Sequence, residues 1–276
     1  MEILVTLDEH YLPQLQVLLT SLSLNSPGEA VRLWLMHRGM PDAALEAVRR
    51  RCAQCGWQFE PVEVDGGIFA HAPVTRQYPQ EMYYRLLAPH LLPETLGRVL
   101  YLDPDILVIN SLRPLWETDL EGNLFAAASH TGKTELMNNI NHARLGTDHD
   151  YFNSGVLLID LDAGRREIDP EVIFRYTAAH AYELLLPDQD LLNVLYGTRT
   201  LPLDDFRWNY DARNYNSYLL RSSGVCDLDW VMEHTAILHF CGKAKPWKKG
   251  YCYRFGTLYR HYMNLARRLE AHESLG

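Results

Sequence analysis

The sequence predicts an α/β fold with a mostly parallel central sheet flanked by helices. One observation is the alternation of apolar runs and helical patterns over residues 1–64, whose β-α-β-α-β order requires parallel strands joined by right-handed crossovers. Another is an unbroken apolar run at 99–102 that ends in two carboxylates, Asp103 and Asp105. Open α/β sheets bind ligands at the carboxyl ends of their strands, so we expect the binding site at that edge.

The individual elements follow from the spacing of apolar residues. Continuous or alternating apolar runs predict strands, recurrence every three to four residues predicts helices, and glycine or proline clusters predict turns. The predicted strands are 3–7, 31–36, 57–64, 99–102, 106–109, 123–128, 156–159 and 236–240. The predicted helices are 15–22, 40–51, 81–91, 168–182, 187–196 and about 251–270. The polar segment 129–150 is the predicted mobile lid or insertion.

The composition is that of a globular protein and argues against several classes. Of the 276 residues, 47% are hydrophobic and 22% are charged, which suffices for a core, and we predict one domain over 1–276. The net charge of −9 argues against nonspecific binding of nucleic acid, which needs a basic surface. The five cysteines are scattered, and we find neither a signal peptide nor a run of about 20 apolar residues, so the expected location is cytoplasmic.

Residues 103–105, Asp-Pro-Asp, are the first candidate for a functional site. Apolar runs precede and follow them, so both carboxylates are embedded in the core, and Pro104 stiffens the turn between them. Two carboxylates this close repel each other unless a cation lies between them or one is protonated. We therefore interpret the pair as a divalent-metal site. The alternative, a strand end with two solvated aspartates, stays open on this stretch alone.

The last predicted strand, which contains His239, and the segment that follows it are the second candidate. A lone His239 would more often be a core histidine, but Gly242 permits close approach of the backbone and Lys245 supplies a point charge suited to phosphate. Together with the two aspartates, the imidazole completes a ligand set that suits Mn²⁺.

Other polar residues permit two interpretations each. Arg85 could face a phosphate or, as is commoner, pair with a surface carboxylate. Asp188 at a helix start is most simply a cap, whereas Gln189 and Asp190 could reach a cleft.

Two further segments contain residue types that are common at ligand sites. Gly155, close to Asn153, indicates either close approach of the backbone to a ligand or a bulge. Residues 208–216 are rich in aromatic and amide side chains, as sugar-facing surfaces often are, but irregular aromatic loops look the same.

The order of these motifs resembles glycosyltransferase family 8. The resemblance is carried by Asp8 after the first strand, by 83–85, 102–105, 151–155 and 188–190, and most specifically by His-x-x-Gly-x-x-Lys-Pro-Trp at 239–247. It spans nearly the whole chain and implies a GT-A fold for nucleotide-diphospho-sugar transfer. The implied organisation is a nucleotide-binding half at about 1–110, a half for donor sugar and acceptor at about 111–250, and a C-terminal helix.

The resemblance also assigns roles to the matching positions. The implied metal ligands are Asp103, Asp105 and His239, and the implied catalytic residues are Gln189, Lys245 and Asp188. The implied substrate-binding residues are Leu7, Asp8, His10, Tyr11, Arg85, Asp103, Pro104, Asp105, Asn153, Asp188, Gln189, His239, Gly242 and Lys245. Relatives often carry Asn at the position of His10 and some carry Asp at that of His130, so the contacts of these two histidines are left open.

The implied reaction is retaining transfer of galactose or glucose from a UDP-sugar to a saccharide or glycoconjugate, with Mn²⁺ or alternatively Mg²⁺ as cofactor. We favour substitution on one face of the sugar, because Gln189 is a poor nucleophile and no sequence argument places Asp188 or Asp190 against the anomeric carbon. The sugar, the acceptor, the oligomeric state and peripheral contact with the inner face of a membrane stay open. The alternatives are a metal-dependent phosphohydrolase and a non-catalytic protein that binds UDP-sugars.

Overall fold

The computed structural model describes residues 1–69, 72–73, 80–129 and 144–273. His130 and most of the predicted lid at 129–150 therefore lie outside the described residues. No helix within the described ranges combines the length and the apolar character needed to cross a membrane.

Two sheets organise the described part of the chain. Their strands are, in chain order, β1 (Glu2–Thr6), β2 (Arg32–His37), β3 (Gln58–Glu63), β4 (Arg98–Leu102), β5 (Ile106–Val108), β6 (Phe125–Ala128), β7 (Val156–Asp160), β8 (Thr200–Leu203), β9 (Tyr210–Asp211) and β10 (Ile237–His239). The larger sheet has seven strands in the order β3-β2-β1-β4-β7-β6-β8. The smaller has three, in the order β5-β10-β9.

The larger sheet is mostly parallel, as predicted. β1 pairs in parallel with β2 and with β4, β2 pairs in parallel with β3, and β6 pairs in parallel with β8. β7 runs antiparallel to both of its neighbours, β4 and β6. Its position was predicted from its apolar run, but its direction was not, because burial on both faces gives the same pattern in either direction.

The helices flank the sheets. They are α1 (Leu12–Asn25), α2 (Asp42–Gln54), α3 (Tyr84–Leu91), α4 (Arg113–Trp116), α5 (Leu161–Glu167), α6 (Pro170–Ala179), α7 (Pro187–Tyr196), α8 (Asp205–Trp208), α9 (Tyr215–Arg221), α10 (Leu228–His234) and α11 (Gly256–Glu273). Alternate side chains of β1 reach opposite layers: Leu4 packs in the same cluster as Leu87 of α3, whereas Ile3 and Val5 pack with Leu15 of α1. Burying each such side chain contributes about 1.5–3 kcal/mol.

The prediction that the C-terminal helix begins near residue 251 was wrong by one and a half turns. The ring of Tyr251 packs against Gly256, where a Cβ would lie 2.6 Å from it, and the amide of Gly256 closes a turn onto the carbonyl of Tyr253 at 3.0 Å. The helix starts only after this turn. Its aromatic face packs into the core as expected, with Tyr259 edge-on to Phe240 at 4.9 Å between ring centroids.

The chain passes from the larger sheet to the smaller one at residues 103–105. β4 ends at Leu102 in the large sheet, and β5 begins at Ile106 in the small sheet. β10 pairs antiparallel with β5, with His239 opposite Ile106. The Asp-Pro-Asp turn is therefore the junction between two sheets, and the partner strand brings His239 to it.

Candidate active site

The Asp-Pro-Asp turn is fixed by backbone hydrogen bonds on both sides. The amide of Asp103 donates to the carbonyl of Gly155 at 2.8 Å, and the carbonyl of Asp105 accepts from the amide of Phe240 at 3.0 Å. Pro104 occupies the turn itself. The backbone at both aspartates is thus held by residues adjoining β7 and β10. These two strands are the antiparallel neighbours of β4 and β5 and lie far from them in the sequence.

Asp103, Asp105 and His239 form the group of side chains that we call the carboxylate–imidazole cluster. Nε2 of His239 lies 3.2 Å from Oδ1 of Asp105 and 3.8 Å from Oδ2 of Asp103, and one ligand atom from each residue falls within 4.8 Å of the others. Asp105 and His239 are buried and Asp103 is half-buried. Two carboxylate oxygens and an imidazole nitrogen are a donor set that could hold a divalent cation such as Mn²⁺.

Gly155 lies against the cluster, and its lack of a side chain leaves room for His239 and Asp103. A Cβ at this position would lie 2.3 Å from Cε1 of His239 and 2.6 Å from Oδ2 of Asp103, so any larger residue would push both ligands away. The sequence allowed either close approach of the backbone to a ligand or a bulge at this glycine. In the structure the backbone is closely approached, and the atoms that approach it belong to His239 and Asp103.

The charges of the cluster are balanced by neighbouring side chains. Nζ of Lys245 donates to the carboxylate of Asp105 and, at 3.0 Å, to the carbonyl of Phe240. Burial alone would raise the pKa of Asp105, but His239 and Lys245 outweigh burial and hold that pKa below its usual range. Burial alone would lower the pKa of His239, but Cys241 and Asp105 raise it well above the ordinary value. A cation that binds Nε2 would therefore displace a proton.

Arg85 connects the cluster to the predicted donor-sugar residues. Its guanidinium lies 3.2 Å from Oδ1 of Asp103 and 3.0 Å from Oδ2 of Asp188, and it donates to the carbonyl of Ser154 at 3.0 Å. Only 12% of the side chain is exposed, so the surface ion pair that position alone favoured was the wrong interpretation. The hydroxyl of Tyr101 also donates to Oδ1 of Asp103, at 2.6 Å.

Asp188 and Gln189 begin α7 and face the same region. Oδ2 of Asp188 accepts from the hydroxyl of Ser154 at 2.9 Å, and Oε1 of Gln189 accepts from the side-chain amide of Asn153 at 2.9 Å. The N-cap of this helix is Leu186. The capping role proposed for Asp188 was therefore wrong, because its carboxylate is held by Ser154 and Arg85.

Asp190 was a candidate for the cleft, and this expectation was wrong. Its side chain is fully buried and receives bonds from Arg144 at 2.7 and 2.9 Å, from the hydroxyl of Tyr151, and from the amides of Leu185 and Leu186 at 2.7 and 3.1 Å. These partners make Asp190 an anchor that ties α7 to segments preceding it in the chain.

Asn209 is a site residue whose role the sequence did not predict. Its oxygen Oδ1 lies 2.8 Å from Nδ1 of His239, and its nitrogen Nδ2 donates to Oδ1 of Asn153 at 2.9 Å. The aromatic and amide-rich composition of 208–216 left open either a sugar-facing surface or an irregular aromatic loop, and Asn209 itself is fully buried behind the cluster.

Gly242 and Lys245 lie on the loop after β10. Gly242 has φ +78°, which favours glycine, and a Cβ there would lie 2.2 Å from Nη1 of Arg213. Arg213 itself is held by Asp211 at 2.7 Å. Arg213 was not predicted, since only the fold brings it against this loop.

A second region at the same edge is a pocket of about 420 Å³ between the ends of β1 and β2, which we call the β1–β2 pocket. Its lining includes three of the four implied substrate-binding residues that follow the first strand, Leu7, Asp8 and His10. Oδ1 of Asp8 accepts from the amide of His10 at 2.9 Å. The fourth, Tyr11, packs edge-on against Trp247 at 6.4 Å between ring centroids. Lining residues that sequence reasoning missed are Glu9, His37, Arg38, Gly39, Met40, Pro41 and Glu81.

Solved structures identify the class of protein. The galactosyltransferase LgtC, in complex with donor and acceptor sugar analogues, matches this chain with a TM-score of 0.78 and 27% identity over 96% of this chain and 95% of that one. The glycosyltransferase GlyE of Streptococcus pneumoniae TIGR4 matches with a TM-score of 0.70 over 99% of this chain and 63% of that one, and at 21% identity it supports the fold alone. The fold is GT-A, and the class is glycosyltransferase.

The chain belongs to glycosyl transferase family 8, whose model matches residues 2–250. General stress protein A of Bacillus subtilis is 29% identical, over 97% of this chain and 94% of that protein. A lipopolysaccharide 1,2-glucosyltransferase of Escherichia coli K12 is 28% identical over 88% and 71%, and a lipopolysaccharide 1,3-galactosyltransferase of Salmonella typhimurium is 24% identical over 87% and 71%. The predicted family, GT-A fold and enzyme class are confirmed.

Proposed function

We propose that this glycosyltransferase moves galactose or glucose from a UDP-sugar to a saccharide or glycoconjugate acceptor with retention of configuration. The observation that carries the proposal is the carboxylate–imidazole cluster with Lys245 beside it, at the carboxyl edge of the sheet. The similarity to lipopolysaccharide glucosyl- and galactosyltransferases supports the choice of sugars. The family match gives no support to the phosphohydrolase alternative.

Asp103, Asp105 and His239 would hold the divalent cation, with Mn²⁺ preferred and Mg²⁺ as the second choice. Their oxygen and nitrogen donors suit either ion, and Gly155 keeps their side free of a competing Cβ. When bound, the cation would hold the diphosphate and offset the negative charge that develops on departing UDP.

Lys245 supplies the second positive charge for the diphosphate. Its amine is held by Asp105 and the carbonyl of Phe240, which places a positive charge directly beside the proposed cation ligands. Fixed charges of this kind act strongly on the transition state because their orientation is established during folding. Gly242 lets the loop that carries Lys245 pass close to Arg213.

The donor sugar would be bound by Asp188, Gln189 and Asn153, with Arg85 joining them to the cluster. Asp188 keeps its carboxylate against Arg85 and Ser154, and Gln189 keeps its carbonyl against Asn153. Oδ2 of Asp188 is held by Ser154 and Arg85, and Gln189 is a neutral amide and a poor nucleophile, so we favour substitution on a single face of the sugar. Asp190 is fully buried and bonded to Arg144, so we do not assign it the role of nucleophile.

The β1–β2 pocket is the proposed nucleoside site. Leu7 provides an apolar wall, and the exposed Asp8 and His10 provide polar groups for a ribose. Tyr11 stays a predicted substrate-binding residue; its ring is exposed and packs edge-on against Trp247. A cytoplasmic location with contact to the inner face of a membrane stays a prediction and would suit a glycolipid acceptor.

The test is a panel of UDP-sugars, each added with Mn²⁺ while thermal unfolding is followed. A ligand that binds only the folded protein raises the melting temperature, so we expect UDP-galactose or UDP-glucose to give the largest metal-dependent rise. The anomeric configuration of the transfer product, read by NMR, tests retention.

Two controls separate the alternatives. Release of inorganic phosphate from phosphomonoesters would favour a phosphohydrolase. A metal-dependent rise in melting temperature without any hydrolysis or transfer of the UDP-sugar would indicate a non-catalytic binding protein. Either result would contradict the proposed function.

A further inference from the structure

Three side-chain amides connect the donor-sugar helix α7 to the carboxylate–imidazole cluster. Asn153 donates through Nδ2 to Oε1 of Gln189 at 2.9 Å, Asn209 donates through Nδ2 to Oδ1 of Asn153 at 2.9 Å, and Oδ1 of Asn209 lies 2.8 Å from Nδ1 of His239. The amides come from three separate segments of the chain. They form a continuous path from the sugar-binding pair to the imidazole.

A backbone group sets the direction of every bond in this path. The amide of Gly155 can only donate, and it donates to Oδ1 of Asn153 at 3.0 Å. That oxygen is then the acceptor for Asn209 as well, so Asn209 must turn its NH₂ towards Asn153 and its oxygen towards His239. An oxygen facing Nδ1 requires that Nδ1 carry the proton.

The tautomer of His239 follows from this chain of donors and acceptors. When a cation displaces the proton of Nε2, Nδ1 keeps its own proton, and the lone pair of Nε2 faces the side where the two carboxylates lie, 3.2 Å from Asp105. The hydrogen bond at the other end of the path determines the orientation of the Gln189 side-chain amide. Because the carbonyl oxygen of Gln189 is occupied by Asn153, Gln189 presents its NH₂ as a donor.

Asn209 is well placed to hold this geometry. It is fully buried and directly precedes β9, which pairs with β10 so that Tyr210 lies opposite Leu238 and Asp211 opposite His239. The pairing fixes the distance between the two backbones. The side chain of Asn209 therefore reaches His239 without needing to be ordered by a ligand.

We propose that Asn209 is a positioning residue that fixes the orientation and tautomer of His239 and couples the cation site to the donor-sugar amides. The proposal rests on the proposed function, since it assumes that the cluster binds a divalent cation. Partners of metal-binding histidines act in this way elsewhere, and removing one typically lowers metal affinity by about 10–100-fold. Coupling through the amides makes binding of the sugar and of the cation mutually favourable.

The decisive measurement compares Asn209→Leu with Asn209→Asp. Leucine has the same number of side-chain heavy atoms and the same branching at Cγ but removes both hydrogen bonds. Mn²⁺ affinity, measured by electron paramagnetic resonance of the free ion, should therefore fall by about 10–100-fold. Aspartate still accepts from Nδ1 of His239 but cannot donate to Asn153. Its Mn²⁺ affinity should stay within about threefold of wild type. The matched control is Asn123→Asp, a half-buried amide whose Nδ2 bonds to the carbonyl of Leu120.

The coupling has its own readout. The gain in affinity of UDP-galactose or UDP-glucose over UDP alone, measured with saturating Mn²⁺, should shrink in both Asn209 variants, since both lose the bond to Asn153. Unchanged Mn²⁺ affinity in a folded Asn209→Leu protein would refute the positioning role. Equal losses in the Leu and Asp variants would refute the tautomer argument.

An experiment on the unmutated protein keeps the test independent of folding. The ¹⁵N chemical shifts of the His239 ring, recorded with saturating Mg²⁺ and UDP, should show a protonated Nδ1 and an unprotonated Nε2. The opposite assignment would overturn the proposal. Because none of these readouts measures transfer, a failure here is distinguishable from a failure of the proposed function, which the UDP-sugar panel and product analysis test.

Discussion

The carboxylate–imidazole cluster and the β1–β2 pocket share one edge of the large sheet, and they differ in how their polar groups are supported. In the cluster, Asp105 is held by Lys245 and His239, and both the acid and the imidazole are buried. In the pocket, Asp8 and His10 are exposed, and the carboxylate accepts from the amide of a residue only two positions away.

This difference has a physical consequence for ligand binding. The cluster draws its supports from distant segments, so the geometry is formed by folding and the ligand meets fixed charges. The pocket uses neighbours in sequence at the surface, where charged pairs are weak and screened by salt. We expect substitutions in the cluster to affect the chemistry and those in the pocket to affect mainly donor affinity.

The largest expected effect comes from exchanging one carboxylate in each region. Asp105→Asn removes a proposed cation ligand and the partner of Lys245, so turnover should fall by at least about 10³-fold and the Mn²⁺-dependent rise in melting temperature should disappear.

Asp8→Asn should keep the Mn²⁺-dependent rise in melting temperature and lower donor affinity by about tenfold or less, which corresponds to about 1.4 kcal/mol. Loss of the Mn²⁺ effect in Asp8→Asn would break the distinction between the two regions.

Lys245→Ala should have the next largest effect. Removing one well-oriented group that stabilises developing charge costs about 10²–10³ in kcat. Steady-state kinetics on a UDP-sugar should show this loss mainly in kcat, with Lys248→Ala, an exposed lysine three residues away, as the matched control. An unchanged kcat for Lys245→Ala would contradict the role given to its amine.

The smallest expected effect concerns the pH dependence of the pocket. Nδ1 of His37 accepts from the amides of Gly39 and Met40 at 3.2 and 3.1 Å, and burial lowers the pKa of His37 below its ordinary value of 6.5, against a weaker opposing effect of Glu63. The unfolded chain then binds the proton more readily than the folded one. Stability should be unaffected above about pH 6.5 and should fall as the pH drops below it, because protonation of Nδ1 would break both hydrogen bonds.

His37→Asn provides the comparison, because its Oδ1 can replace Nδ1 as an acceptor and does not titrate. Urea unfolding between pH 5 and pH 8 should show a smaller loss at acid pH in the variant than in wild type. If the free energy of unfolding falls equally with decreasing pH in both proteins, His37 is not the titrating group.

The parts of the site that the sequence predicted are those with a local signature. The apolar run at 99–102 followed by Asp103 and Asp105 marks a buried strand that ends at a ligand-binding edge, and the structure has this strand as β4. The spacing of His239, Gly242 and Lys245 pointed to one functional segment, and in the structure Lys245 donates to Asp105. The roles of these residues in donor binding stay predictions.

Residues with generic signatures were misjudged or missed. Asp188 and Asp190 are two positions apart at one helix start, and nothing local distinguishes the acid held by Arg85 from the acid buried against Arg144 and Tyr151. Asn209 lies in an aromatic, amide-rich stretch that looks like a surface. Its burial depends on β9 pairing with β10, which is a contact between segments about 30 residues apart.

The sequence by itself determined the α/β class, the family and the residue types of the proposed cation site, because burial periodicity and short motifs are properties of neighbouring residues. The tertiary structure decided the direction of β7, the second sheet that joins His239 to the carboxylates, and the amide path from Gln189 to the imidazole. Those features depend on which strands pair and on which buried polar atoms meet. Such contacts satisfy hydrogen bonds between distant segments, and no local pattern encodes them.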